Sequence, residues 1–199
     1  MFVLAADTSL PLLSVALAVD ATLLGAVALE GKGSRNEKLL PAIDWLLTES
    51  NVDRKSIDLF AVTRGPGSFT GVRIGLATIQ GLALALGKPV IAMSTHEAAL
   101  GDDAGAIAIV DDAGRGEYYV SVFDNRRETV APHLATTLDD LPRVARVADI
   151  LQQRNVAAGC ARRAMEIVRA GEQDRYADAT PIYVRLAEAE VKLQQKRNG

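Results

Sequence analysis

The chain has 199 residues, of which 49% are hydrophobic and 24% are charged, and this composition excludes an intrinsically disordered protein. Its single cysteine, Cys160, excludes a disulfide framework and a cysteine-based zinc site. The net charge of −3 is unevenly divided, because residues 1–141 hold 11 basic and 18 acidic side chains, whereas residues 142–199 hold 11 basic and 7 acidic ones.

The first residues of the chain predict a short buried strand. Residues 2–6 are all apolar, and Asp7, Thr8 and Ser9 follow them, so the strand delivers three polar side chains at its end. An acidic residue this early, without a basic start, is not typical of a signal peptide. The longest helix-like apolar stretch, residues 72–86, is shorter than the about 20 residues of a membrane span. We therefore expect a cytoplasmic protein without a membrane segment.

The first half of the chain predicts the element order β-β-β-α-β-α-β. After the first strand we expect two hairpin strands, a helix that contains Pro41, and two strands that flank a second helix. These predicted elements are residues 14–19, 23–30, 36–49, 57–62, 70–86 and 89–93. The order is that of a ribonuclease-H-like half-domain, which predicts an α/β fold of the actin-like (ASKHA) type. A short third helix is expected over residues 95–100, with His96 as a capping or surface residue near its start.

The second half of the chain predicts a smaller lobe. A polar linker that contains glycines lies at residues 101–105. Beyond it, strands are predicted over 106–110, 117–123 and 130–135, and helices over 139–153 and 161–170. We therefore predict two lobes, residues 1–104 and residues 105–199, of which the second is a reduced α/β lobe.

A glycine-rich loop between a predicted strand and a predicted helix is the densest local signal. Its sequence is Gly65-Pro66-Gly67-Ser68-Phe69-Thr70-Gly71-Val72-Arg73-Ile74-Gly75. The glycine spacing matches neither the dinucleotide fingerprint nor the Walker loop, and no Lys follows that would reach a phosphate. The loop serves either as a structural turn or as an anion site at the start of the helix.

The helix after this loop is apolar on nearly every face, so it is not expected to border water. Small residues recur along it, largely at spacings of four: Gly71, Gly75, Ala77, Gly81 and Ala85. They form a smooth strip against which another helix can pack closely. Either a partner subunit or the chain's own second lobe is expected to cover this helix.

Several segments, in their order along the chain, closely resemble the TsaB (YeaZ) family. They are Ala5-Ala6-Asp7-Thr8-Ser9, Ser14-Val15-Ala16-Leu17, Glu37-Lys38-Leu39-Leu40-Pro41, the block from Arg64 to Gly75, Gly81-Leu82-Ala83-Leu84, Val110-Asp111-Asp112-Ala113-Gly114-Arg115-Gly116-Glu117-Tyr118-Tyr119 and, more weakly, Pro181-Ile182-Tyr183-Val184-Arg185. The resemblance covers residues 1–120 well and the remaining residues poorly.

This resemblance implies a subunit of the bacterial machinery that places threonylcarbamoyladenosine next to the tRNA anticodon. In such a complex the chain pairs with the metal-dependent catalytic subunit TsaD, and a small ATPase, TsaE, completes the assembly. A chain of this family is the scaffold of the complex and not its catalyst. The resemblance therefore implies no catalytic residue, no cofactor, and contact with tRNA mainly through the complex.

Two alternatives of other classes stay open. The first is an enzyme in its own right, either a small ATP-dependent phosphotransferase or a peptidase of the actin-like superfamily. The second is direct tRNA binding by basic residues of the second half: Arg143, Arg146, Arg154, Arg162, Arg163, Arg169, Lys192, Lys196 and Arg197. No aromatic cluster accompanies these charges, which makes direct binding the weaker alternative.

The resemblance also implies that the partner surface lies on the two long helices of the first lobe. The predicted interface residues are Leu40, Ile43, Leu47, Gly71, Ile74, Gly75, Thr78, Gly81, Leu82 and Ala85. The same apolar surface allows the chain to form a homodimer when its partner is absent. Trp45 is either an anchor of this interface or a core residue.

A relic of a nucleotide site is the remaining expectation from the resemblance, with weak nucleotide contact in the complex as its alternative. The residues concerned are Asp7, Thr8, Ser9, Gly67, Ser68 and Asp111. We expect no metal site, because TsaD-type catalysis needs two His one helical turn apart, and the segment Ser34-Arg35-Asn36-Glu37-Lys38 contains none. The chain's two histidines, His96 and His133, are distant in sequence.

Overall fold

The computed structural model describes residues 1–20, 22–30, 35–101, 105–137, 146–149 and 155–185 of the chain. Within these ranges the chain forms two β-sheets and four α-helices. One sheet comes from the first half of the chain, and the other from the second half.

The first sheet has five strands, with β1 at its centre. The strands are β1 (Phe2–Asp7), β2 (Leu13–Val19), β3 (Thr22–Leu29), β4 (Ile57–Thr63) and β5 (Val90–Met93). They lie in the order β3-β2-β1-β4-β5, with β2 antiparallel to β1 and β3, and with β4 and β5 parallel to β1. Ala5 of β1 pairs with Ala16 on one side and with Ala61 on the other. Because β1 is enclosed on both faces, its sequence is continuously apolar up to Asp7.

Two helices cover one face of the first sheet, namely α1 (Arg35–Glu49) and α2 (Phe69–Leu86). The side chains that α1 and α2 turn inward, including Leu39, Ile43 and Ile79, join one apolar cluster with the strands. α2 begins after Ser68, whose hydroxyl accepts a hydrogen bond from the Gly71 amide at 3.2 Å. It ends at Gly87, which has a φ of 63° that suits glycine.

By length and composition, α2 is the one described helix that could cross a membrane. In this fold α2 is the crossover between the parallel strands β4 and β5, and it packs on the first sheet. Its buried residues are Gly71, Val72, Gly75, Leu76, Ile79 and Ala83.

The opposite face of the first sheet is covered by α4 (Val156–Arg169), against which the short helix α3 (Thr95–Ala99) packs. α4 begins five residues before the predicted start at 161, because Asn155 caps it by accepting a hydrogen bond from the Ala158 amide at 3.0 Å. The Ala157 amide donates to Ser14 Oγ of β2 at 3.1 Å, which attaches the start of α4 to the first sheet.

The second sheet has four strands: β6 (Ala106–Gly114), β7 (Glu117–Asp124), β8 (Arg127–Ala135) and β9 (Arg146–Asp149). Their order is β8-β7-β6-β9, with β9 parallel to β6. The sequence predicts a helix over 139–153, and this prediction is wrong for residues 146–149. Pairing with the buried strand β6 outweighs the helical pattern there, and the rest of that predicted helix lies outside the described residues.

The two halves of the chain share one apolar core. This core joins β1 and β4 of the first sheet to Ile107 and Phe123 of the second, with Cys160 and Met165 of α4 between them. The predicted boundary after residue 104 separates the two sheets, whereas α4 lies after that boundary and packs on the first sheet. The sheet order and the helices on both faces confirm the predicted α/β fold with a ribonuclease-H-like first lobe.

Candidate functional site

The polar end of β1 lies in the interior between the two sheets. Asp7 is completely buried, and its Oδ1 accepts hydrogen bonds from Ser9 Oγ at 2.5 Å, Thr63 Oγ1 at 2.5 Å and the Ser9 amide at 3.1 Å. The Ser9 hydroxyl also lies 2.9 Å from Thr95 Oγ1 of α3. The ends of β1 and β4 therefore converge on one carboxyl group, and the start of α3 joins them through Ser9.

Burial raises the pKa of Asp7 above its ordinary value, although the hydrogen bonds to Oδ1 act in the opposite direction. Its second oxygen, Oδ2, is buried and has no hydrogen-bond partner in the described part of the chain. A buried carboxylate with one unpaired oxygen is costly as an anion. Asp7 therefore favours the neutral form more strongly than an exposed aspartate does.

Thr8 closes the space between β1 and α2. Its hydroxyl donates to the carbonyl oxygen of Gly71 at 2.6 Å. A Cβ on Gly71 would overlap the Thr8 carbonyl oxygen, and one on Gly75 would overlap the Thr8 hydroxyl. The two glycines thus allow α2 to lie directly against the end of β1.

A cleft of about 400 Å³ opens beyond Ser9, between the two lobes. Four of the six residues predicted for a relic nucleotide site line it, namely Ser9, Gly67, Ser68 and Asp111. Asp7 and Thr8 lie behind it and are buried. The described lining includes two aspartates, Asp111 and Asp112, and no Lys or Arg. Side-chain charge in this cleft therefore opposes a phosphate group.

The segment 178–185 crosses from the first lobe to the second beside this cleft. The Ile182 amide donates to the Arg64 carbonyl at 2.7 Å, and Arg64 Nη1 donates to the Thr180 carbonyl at 3.0 Å. Further along, Arg185 donates to the Ala113 carbonyl at 2.8 Å and pairs with Glu117. This segment, which the sequence motif at 181–185 indicated only weakly, ties the glycine-rich loop to the β6–β7 hairpin.

His96 is a buried core residue, so the prediction of a capping or surface role is wrong. Its Nδ1 lies 2.7 Å from Ser121 Oγ of β7, and its Nε2 has no partner among the described residues. Ser94 caps α3 instead, by accepting a hydrogen bond from the Glu97 amide at 2.9 Å. Burial lowers the pKa of His96 to about 3, with a smaller repulsion from His133. Because His133 pairs with Val120 of β7, the two histidines, distant in sequence, both lie next to β7.

The structure divides the ten predicted interface residues by exposure. Leu40, Gly81 and Ala85 are exposed, and Ile74, Thr78 and Leu82 are partly buried. Ile43, Leu47, Gly71 and Gly75 are buried within the chain, which corrects their assignment to a partner surface. Ile43 and Leu47 face the first sheet from α1, and the two glycines face Thr8 from α2.

The most exposed large apolar side chain among the described residues is absent from the predicted interface. Leu84, near the end of α2, is 85% exposed. Its spacing of three from Gly81 was the available signal, since residues three apart share one helix face. Trp45 of α1 is 55% exposed, which decides against a core role for it.

No group of three or more His, Cys, Asp or Glu side chains suited to a metal ion occurs among the residues that the structure describes. Of the nine basic residues considered for direct tRNA binding, Arg162, Arg163 and Arg169 have described side chains, all on α4. Arg163 is engaged with Glu97 at 3.0 Å.

Comparisons with known proteins place the chain in a family. The family described as TsaD: tRNA N6-adenosine threonylcarbamoyltransferase matches residues 32–181. The tRNA threonylcarbamoyladenosine biosynthesis protein TsaB of Bacillus subtilis is 29% identical, over 96% of this chain and 97% of that protein. The protein of the same name from Escherichia coli is 42% identical over 95 residues, which are 48% of this chain and 41% of that protein.

Solved structures agree with these sequence relatives. YeaZ from Pseudomonas aeruginosa has a TM-score of 0.73 and 27% identity, over 92% of this chain and 99% of that one. A second crystal structure, of an uncharacterized protein with similarity to peptidase YEAZ from Pseudomonas aeruginosa, has a TM-score of 0.76 and 26% identity over the same shares. The chain therefore belongs to the TsaD family of tRNA N6-adenosine threonylcarbamoyltransferases, and within it to the TsaB (YeaZ) proteins.

Proposed function

We propose that the chain is the noncatalytic partner of a TsaD-type subunit in the formation of N6-threonylcarbamoyladenosine on tRNA. The relatives named TsaB support a role in threonylcarbamoyladenosine biosynthesis. The match to the TsaD family supports a partner of the same fold, because related chains commonly pair through equivalent surfaces.

The outer face of α2 is the observation that carries this proposal. Leu84 projects from it with 85% of its surface exposed, and the small residues Ala77, Gly81 and Ala85 are exposed on the same helix. A Cβ placed on Gly81 would meet no atom within 4 Å, so the surface beside it is open. A protruding leucine next to small residues supplies the knob and the hole of close helix packing. The partner is therefore expected to contribute a helix to this face.

The polar end of β1 supports a noncatalytic role. Asp7, Thr8 and Ser9 direct their side chains to Thr63, Gly71 and each other, and all three are buried. A general base or nucleophile must reach substrate within hydrogen-bond distance. These residues instead hold β1, β4 and α2 together, and we assign no catalytic residue to the chain.

The rest of the assembly is part of the same proposal. A TsaE-type ATPase joins the complex in the cytoplasm, and tRNA contacts the chain mainly through its partners. When the TsaD-type subunit is absent, the exposed face of α2 pairs two copies of the chain, because an uncovered apolar face favours association. The chain needs no cofactor of its own in this role.

Reconstitution tests this proposal directly. The chain is mixed with a TsaD-type subunit, a TsaE-type ATPase and the substrates, and threonylcarbamoyladenosine in tRNA is quantified while the mass of the complex is measured in solution. Leu84→Glu places a charge on the proposed interface and is expected to abolish pairing and product. Leu23→Glu is the matched control, since Leu23 is a 49% exposed leucine on β3, away from α2.

Equal pairing by the Leu84→Glu and Leu23→Glu variants would reject the α2 interface. Turnover of ATP or peptide by the purified chain alone would instead favour the enzyme alternative. In that case Asp7→Asn should abolish the turnover while leaving the helical content unchanged.

A further inference from the structure

A second cleft, of about 520 Å³, lies at the carboxyl ends of β4 and β5. Arg64 follows β4 and Ser94 follows β5 at its base, and the β7–β8 turn with Arg126 and Arg127 forms another wall. Ligands of open α/β sheets bind at the carboxyl ends of parallel strands. The volume is that of a small-molecule site. We call it the arginine cleft, because five arginines line it.

Four of these arginines are already engaged by carboxylates, among them Arg64, whose Nη1 lies 3.5 Å from Asp178 Oδ2. Arg163 donates to Glu97 at 3.0 Å and to Glu166 at 3.3 Å. Arg126 donates both of its Nη atoms to Glu166, at 3.1 and 2.7 Å. Arg175 likewise pairs with Glu172 at 3.1 Å. These ion pairs fix the positions of the arginines that make them.

Donor capacity remains on Arg64, Arg126 and Arg127. The Nε atoms of Arg64 and Arg126 are buried and have no acceptor in the described part of the chain. Arg127 is exposed and makes no ion pair with a described residue. A buried donor without an acceptor is destabilising, so such donors are normally matched by water or by a ligand. All three arginines line the same cleft.

We propose that the arginine cleft binds a phosphate group, held by the exposed guanidinium of Arg127 and attracted by the positive charge of Arg64 and Arg126, which line the same cleft. Guanidinium groups are the preferred protein partners of phosphate, because their planar N–H groups match its oxygens. The phosphate belongs either to a small molecule such as a nucleotide or to a tRNA backbone. This site goes beyond the partner role and does not depend on it.

The acidic groups that face the cleft limit which anions it accepts. Glu97 is occupied by Arg163 and by the Tyr176 hydroxyl, which donates at 2.7 Å. Glu128 lies in the same wall, where burial and then repulsion from Glu97 raise its pKa and Arg64 opposes them. Glu128 disfavours an anion when it is ionised. Phosphate binding is therefore expected to strengthen as the pH falls towards the ordinary pKa range of a carboxyl group.

The interlobe cleft supplies a contrast within the same molecule. That cleft is lined by Asp111 and Asp112, and its described lining has no Lys or Arg. A phosphate that binds to this chain is therefore expected in the arginine cleft and not at the nucleotide relic that the sequence indicated.

Titration calorimetry of the purified chain with inorganic phosphate, ATP and a tRNA transcript tests the site. We expect saturable binding of at least one probe, weakened about tenfold in Arg127→Gln, because one charge-assisted contact is lost. Lys55→Gln, which removes one exposed charge outside the cleft, should leave the affinity unchanged. Arg127→Lys should restore part of it, and Asp112→Asn should have no effect.

The three probes distinguish the sources of the phosphate. Binding of ATP or phosphate that depends on Arg127 assigns the site to small molecules, and binding of tRNA alone with the same dependence assigns it to backbone phosphates. Absence of saturable binding for all three probes rejects the proposal. Equal loss in the Arg127→Gln and Lys55→Gln variants also rejects it, because the attraction would then be one of net charge.

Discussion

Thr8 Oγ1 donates a hydrogen bond of 2.6 Å to the carbonyl oxygen of Gly71, and the Thr8 backbone occupies the space that a side chain on Gly71 would need. This contact fixes α2 on the end of β1. We expect Gly71→Ala to lower the free energy of unfolding by about 2–4 kcal/mol, because α2 must move away from backbone atoms that cannot yield. Urea denaturation of the purified variant measures this loss.

Gly81→Ala is the matched control on the same helix. Gly81 is exposed, and a Cβ there would meet no atom within 4 Å. Alanine in a helix is more favourable than glycine by about 1 kcal/mol, so this variant should be more stable than the parent chain. An equal change in stability in both variants would contradict a specific overlap at Gly71. Gly81→Trp, by contrast, should stay folded and prevent helix packing at the proposed interface.

The opposite behaviour of these two glycines explains where sequence reasoning about α2 was incomplete. Gly71 and Gly75 are four residues apart and share one face, but Gly75 and Gly81 are six apart, which is a rotation of about 240°. The small residues therefore form two strips. The first faces Thr8, and the second faces outward with Leu84. Spacing alone predicted close packing but did not indicate which strip packs inside the chain.

The fold was more accessible to sequence reasoning than the site. Buried apolar runs are local signals, and they predicted β1 to β5 and α2 closely. The strand β9 and the burial of His96 depend on partners far along the chain, namely β6 and Ser121. Contacts of this kind leave no periodicity in one sequence. The arginine cleft was not predicted for the same reason, since its wall residues come from distant elements.

Asp7→Asn tests the cost of a buried carboxylate. Because burial raises the pKa of Asp7 in the folded chain, the unfolded state ionises first as the pH rises above about 3.8. The stability that neutral Asp7 contributes is complete below that pH and is lost as the pH rises through the folded-state pKa. The asparagine variant cannot ionise. Its unfolding free energy should therefore increase relative to that of the parent chain as the pH rises. Urea denaturation from pH 3 to pH 8 measures this difference.

Asp7→Ala distinguishes the charge of Asp7 from its role as a hydrogen-bond acceptor. Alanine removes the acceptor for Ser9 and Thr63, so we expect a loss of about 2–3 kcal/mol at neutral pH. A difference between the asparagine variant and the parent chain that does not change with pH would contradict the raised pKa.

His96 predicts an acid sensitivity of the fold. Burial lowers its pKa to about 3 in the folded chain, whereas the unfolded state binds a proton near pH 6.5. Between these values the unfolded state holds more protons, so the free energy of unfolding falls as the pH falls, by at most about 1.4 kcal/mol per unit. His96→Gln should remove this part of the pH dependence. His133→Gln is the control, and it should retain most of it; identical profiles for the two variants would contradict the assignment to His96.

The hydroxyl of Tyr176 and Nε of Arg163 meet on the same carboxylate oxygen of Glu97, at 2.7 and 3.0 Å. Burial and then the hydrogen bond to Glu97 raise the pKa of Tyr176 to about 12. The unfolded chain releases this proton near pH 10, so the stability contributed by neutral Tyr176 is complete below pH 10 and is lost as the pH rises to about 12.

Tyr176→Phe should lower the unfolding free energy by about 1 kcal/mol at pH 7, because one hydrogen bond to a charged group is lost from a partly exposed site. The same variant should lose less stability than the parent chain above pH 10. Thermal melts at pH 7 and pH 11 measure both effects, with Tyr183→Phe as the control for a tyrosine whose hydroxyl accepts a hydrogen bond from Arg73. Equal alkaline losses in the two variants would refute the role of the Glu97 contact.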